Sequence, residues 1–72
     1  MTEFERLEKV YQTFTCEGLM ALREIYENGI LLLLIRRNDK PSKYYDNSIS
    51  NVRQKIMIID SVLEDKISEL DL

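Results

Sequence analysis

Residues 45–70, YDNSISNVRQKIMIIDSVLEDKISEL, carry apolar side chains at Tyr45, Ile49, Val52, Ile56, Ile59, Leu63, Ile67 and Leu70. These positions step by four and three almost without fault, which lines them up as one narrow stripe along an α-helix. Such a heptad-like stripe is the seam of a helix packed antiparallel against a neighbour. The spacing predicts a helix over about 42–70, with Pro41 suited to its first turn because that turn has no use for the missing N–H. Met57, Ile58 and Val62 lie off the seam. This helix therefore has a second apolar face and needs a second neighbour.

The first neighbour lies just upstream. Asn38, Asp39, Lys40, Pro41 and Ser42 form a short polar turn, and Arg36 and Arg37 stand where cations suit a helix C-terminus. A helix over about 16–37 follows, carrying Leu19, Leu22, Ile25, Tyr26 and Leu33, and a turn of this length is typical of antiparallel neighbours. Gly18 and Gly29 fall on one stripe of it, leaving that stripe open to close approach by another backbone. Within the same helix, Ile30 to Ile35 (ILLLLI) is a continuous apolar run. Six consecutive apolar residues cover the whole circumference of a helix, and a two-helix hairpin cannot bury all of them. Three readings remain open: a surface that a partner covers, a first helix folded back over the outer side, or a short β-strand. The first is preferred, because large contiguous apolar patches usually mark interaction sites.

Further upstream, Thr2 followed by Glu5 is a capping-box signature. Phe4, Leu7, Val10, Tyr11 and Phe14 recur at three- and four-residue spacing, while Glu3, Glu5, Arg6, Glu8 and Lys9 take the other side. A short amphipathic helix over about 3–14 is expected. The pattern weakens around Thr13 to Gly18, where Thr15 is placed to cap a new helix with Glu17 in its first turn. With only two glycines and one proline in the chain, long helices are favoured over a turn-dense β-domain. The expected fold is all-α, one helical domain over residues 1–72: a short N-terminal amphipathic helix followed by an antiparallel helical hairpin.

Seventy-two residues seldom bury enough apolar surface to supply more than about 3–5 kcal/mol, so small domains lean on disulfides, metals or association. Cys16 is the only cysteine and there is no histidine, which removes an intrachain disulfide and a zinc set. Association remains. The same inventory excludes most chemistry, since the serines lack a partnering base and no Gly-rich phosphate loop is present. No enzymatic activity and no cofactor are expected. The thirteen carboxylates, including the acidic stretch of Asp60, Glu64, Asp65, Glu69 and Asp71, read as solvated charge, and Cys16 reads as a bystander thiol. A net charge of −3 offers no basic face for phosphate contacts, so nucleic acid is not an expected partner. The longest apolar run is far below the roughly 20 residues needed to span a bilayer. The start of the chain lacks the charged-then-apolar pattern of a signal peptide, and a cytoplasmic protein is expected.

The layout resembles that of the small co-chaperones of type III secretion needle subunits. The resemblance lies in the Phe4 to Phe14 helix, in the turn with tyrosines just after it (Pro41, Ser42, Lys43, Tyr44, Tyr45), and in the apolar cluster Ile56, Met57, Ile58, Ile59 of the last helix. It covers nearly the whole chain. The leucine run and the acidic tail are not features of that family. The resemblance implies that the chain pairs with and stabilises a larger helical-repeat chaperone. Through that chaperone it would keep a needle subunit monomeric before export. The residues expected to meet the partner are those the hairpin cannot satisfy internally: Leu7, Tyr11, Phe14, Ile30, Leu31, Leu34, Met57 and Ile58. The alternative is a homodimer in which two hairpins make a four-helix bundle with a structural or regulatory role, possible weak self-association being compatible with either reading. A small nucleic-acid-binding regulator ranks third.

Overall fold

The computed structural model describes residues 2–70 and shows three helices: α1 (Glu3–Gln12), α2 (Cys16–Asp39) and α3 (Lys43–Leu70). The fold is all-α, with α2 and α3 forming the expected antiparallel hairpin and α1 packed on α3. Met1, Asp71, Leu72 and the Leu70 side chain, the last position of the seam, lie outside the described residues.

Both N-terminal caps form where the threonines predict them. The Thr2 hydroxyl accepts from the Glu5 amide at 3.2 Å, and the Thr15 hydroxyl accepts from the Gly18 amide at 3.0 Å. Each satisfies a donor that the first turn of a helix leaves without a partner. Replacing Thr15 by alanine should cost about 1 kcal/mol. In a domain of this size that lowers the melting temperature by about 4–8 °C, readable by circular dichroism; an unchanged melting curve would show that the cap is redundant.

The helix ends differ from the sequence expectation in ways the structure explains. α1 stops at Gln12 because Thr13 turns its hydroxyl back onto the Val10 carbonyl at 2.6 Å. Phe14 is thus not on the helix, and its ring instead packs edge-on against Tyr11, with centroids 6.0 Å apart. α2 runs two residues past Arg37, so the turn is only Lys40 to Ser42. Across that turn Arg37 Nη1 donates to Asp46 Oδ1 at 2.9 Å, so this arginine ties the two arms together as well as complementing the dipole.

The core sits where all three helices meet, at the start of α2. Tyr11 from α1, Leu19 from α2, and Ile58, Ile59, Val62 and Leu63 from α3 form one buried cluster, with Leu7, Cys16, Leu22 and Tyr26 packed against it. The α3 seam is buried or half-buried from Tyr45 to Leu63. It then ends early: Ile67 is exposed, because Cys16, the first residue of α2, already packs beside the cluster that holds Leu63. The second apolar face of α3 finds its neighbour in α1, which covers Ile58 and Val62. Lys66 Nζ donates to the Gln12 carbonyl at 2.9 Å, placing a cation on the C-terminal end of α1. Of the face read on α1, only Tyr11 is buried and Leu7 half-buried, while Phe4 and Val10 remain exposed.

One charged contact fixes the pairing of α2 with α3 near the core. Arg23 Nε donates to Asp60 Oδ1 at 2.6 Å and the same guanidinium reaches Glu27 one turn along α2. The hydrogen bond and charge of Asp60, with a lesser contribution from Glu27, hold the Arg23 pKa above its ordinary value. Asp60 is exposed and Arg23 only half-buried, so this pair sets geometry more than it adds stability.

Candidate protein-docking face

At 100° per residue, α2 presents two faces that the sequence makes almost equally apolar. Leu19, Leu22, Tyr26, Ile30, Leu33 and Leu34 point towards α3 and are buried or half-buried. The opposite side carries Ala21, Ile25, Asn28, Leu32 and Ile35, spaced four, three, four and three. Every one of these five is exposed. Ile25 is 63 %, Leu31 58 %, Leu32 57 % and Ile35 66 % accessible, so a second seam, left open by the described residues, runs along the helix with Leu31 on its flank.

The expected partner-binding residues separate into three groups. Tyr11 and Ile58 are withdrawn from the candidate surface, because both are buried where α1 packs on α3, at 3 % and 2 % accessible. Leu7, Ile30 and Leu34 are half-buried, the first against the core cluster and the other two on the inward side of α2. Phe14, Leu31 and Met57 are exposed. They do not form one patch: Phe14 leans on Tyr11 at the α1–α2 connection, and Met57 lies about 160° around α3 from the seam residue Ile59. Only Leu31 joins a larger apolar surface.

That surface includes three residues the sequence reading missed as contacts, Ile25, Leu32 and Ile35. Ile25, one of the apolar residues carried by α2, is exposed, while its neighbour Tyr26 turns inward. The signal that identifies all three is the four–three spacing from Ala21 to Ile35, the same spacing that marks the α3 seam. The run Ile30 to Ile35 is helical throughout, which removes the strand reading. The folded-back first helix is overturned as well. α1 lies against α3, with Phe4 and Leu7 beside Asn51, Gln54, Lys55 and Ile58, and it leaves Ile25, Leu31, Leu32 and Ile35 exposed.

The rest of the molecule offers little competing for function. A cleft between α1 and α3, lined by Phe4, Leu7, Lys55 and Ile58 among others, holds about 170 Å³, below the roughly 300–1,000 Å³ of ligand pockets. A second, larger hollow of about 520 Å³ at the open end of the bundle is rimmed by Gln12, Asp65, Lys66 and Glu69 and is more open to solvent. Cys16 is a half-buried free thiol against the core cluster. Among the described residues no helix is long and apolar enough to cross a membrane. The most strongly perturbed side chain, Tyr11, is structural: burial, and secondarily hydrogen bonding and charge from Tyr26, push its phenol well above the ordinary 10.0. No family model matches this chain, and no curated protein or solved structure gives a match.

Proposed function

We propose that the chain is a small cytoplasmic co-chaperone that docks on a larger helical-repeat chaperone. In this reading it stabilises that chaperone, and the pair keeps a type III secretion needle subunit monomeric before export. The observation that carries the reading is the outward seam of α2, on which Ile25, Leu32 and Ile35, with Leu31 beside them, all stand more than half exposed. Four large aliphatic side chains in one row on a rigid helix are the anchors of a helix-in-groove contact. A superhelical stack of helix pairs presents the long concave surface that such a row fits. The rest of the chain supplies a folded core that carries α2. The layout described above, from the amphipathic first helix to the tyrosine-bearing turn, supports the family placement.

The test is affinity capture of the tagged chain from its own organism, with mass spectrometry of what is retained. Wild type should retain one helical-repeat protein and a small filament subunit. A variant with Leu31, Leu32 and Ile35 all changed to serine should lose at least ten-fold of that partner while its far-ultraviolet spectrum stays helical, since none of the three supports the core. Equal retention by the variant would remove the docking face from the proposal, and retention of no helical-repeat protein by wild type would remove the co-chaperone reading.

A further inference from the structure

The molecule has more surface than its mass requires. Its accessible area is 5671 Å², whereas a compact monomer of 8.6 kDa exposes about 4,700 Å². The excess of roughly 1,000 Å² is close to the ~800 Å² per partner buried in a standard stable interface. The radius of gyration tells the same story, at 14.2 Å against about 11 Å for a compact chain of this length. The shape is an elongated slab of 49 × 26 × 14 Å, with the outward seam of α2 exposed along it.

That seam is complementary to itself. About Asn28, Ala21 lies opposite Ile35 and, to within half a residue, Ile25 lies opposite Leu32, so an antiparallel copy sets the small Ala21 against a large aliphatic side chain and Ile25 against Leu32, each twice. Asn28 then faces Asn28 of the second copy, the one polar position in an apolar seam, where paired amides fix register. Gly29 stands beside it, and a Cβ there would meet nothing within 4 Å in the single chain. Gly18 is different, for its open side is already filled by the Thr15 hydroxyl at 3.2 Å. Close approach is therefore available at the centre of the seam and not at its start.

Charge selects the direction. Glu17, Glu24 and Glu27 outnumber Arg23 in the first half of α2, while Arg36, Arg37, Lys40 and Lys43 outnumber Asp39 and Asp46 around the turn. A parallel pair would put the two basic turns side by side, whereas an antiparallel pair lays each along the acidic half of the other and opposes the helix dipoles.

We propose that, in the absence of another partner, the outward face of α2 is covered by a second copy of the chain, antiparallel, with the two-fold axis passing near Asn28 and Gly29. The inference rests on the docking reading in that it concerns the same face: self-pairing shields the seam until the chaperone takes it over, and the partner must displace a copy to bind.

The isolated chain tests this whether or not a chaperone is ever found. Sedimentation equilibrium under reducing conditions should give twice 8.6 kDa for wild type and the single-chain mass for Leu32→Glu, with dimer association weakened at least about 30-fold and helicity retained. A monomeric wild type, or a dimer indifferent to Leu32→Glu, overturns the proposal. Direction is read in a Cys16→Ser background by mixing an Ala21→Cys chain with an Ile35→Cys chain under mild oxidation. The antiparallel pair gives the mixed disulfide in large excess over either chain with itself; self-linked products in each separate sample indicate a parallel pair and equally overturn it.

Discussion

Leu19→Ala should leave the chain largely unfolded at room temperature. Leu19 is fully buried, and it is the one α2 residue in the cluster where Tyr11 of α1 and Ile58, Ile59, Val62 and Leu63 of α3 converge. Truncating a buried leucine removes the transfer free energy of the lost methylenes and leaves a cavity that its neighbours fill only partly, together about 2–5 kcal/mol. A core of this size supplies about 3–5 kcal/mol in all. The loss is thus of the same order as the whole stability, and it falls on the contact that joins all three helices. Urea titration followed by ellipticity, at a protein concentration low enough to keep the chain monomeric because association adds to apparent stability, should show the midpoint collapsing towards zero denaturant. Leu32→Ala is the matched control: the same chemical change at an exposed position should move the single chain's stability by no more than about 0.5 kcal/mol. A Leu19→Ala midpoint within error of wild type would mean that the cluster is not where the fold is held.

That contrast between two leucines marks what the sequence could and could not disclose. The α3 seam was legible because its second face is sparse: eight apolar positions at strict spacing leave one orientation that buries them, and the structure buries or half-buries those from Tyr45 to Leu63. The two threonine caps were legible because capping is a local bond, decided within three residues. α1 was legible as a helix but not as a neighbour. Its apolar face reads equally well against either arm of the hairpin, and only the tertiary arrangement shows that Tyr11 meets Ile58 and Val62 rather than the leucine run.

The candidate site was legible as a region and illegible as a list of residues. Six apolar positions in a row announce that something must stay exposed, but a run that covers the full circumference has no period of its own, so it cannot say which side is out. Ile30 and Leu34 turned inward and Leu31, Leu32 and Ile35 outward because of where α3 lies, which the run does not encode. The resolving signal lay outside the run, in Ala21, Ile25 and Asn28. Tyr11 and Ile58 illustrate the opposite difficulty: each is apolar and off the hairpin seam, and they satisfy one another through α1 instead of awaiting a partner.

Tyr11 also gives the chain a limit at high pH. Tyr11 is 3 % accessible, and burial, then hydrogen bonding and charge from the Tyr26 phenol, raise its pKa above the ordinary 10.0. In the folded chain the phenol keeps its proton at pH values where the unfolded chain releases it. The folded state therefore binds more protons than the unfolded state above pH 10, and stability falls as pH rises. Below pH 10 the contribution is fully present, and above it the loss is about 1.4 kcal/mol for each pH unit until the native phenol itself ionises. Against a total of about 3–5 kcal/mol, stability should therefore fall measurably once the pH passes 10. Urea midpoints at pH 8, 10, 11 and 12 should accordingly be level at first and then drop steeply for wild type. Tyr11→Phe keeps the ring in the cluster and removes the ionising group, so its midpoint should start slightly lower and decline more gently over the same range. Parallel decline of the two proteins would assign the alkaline limb to other groups and show that the buried phenol does not govern it.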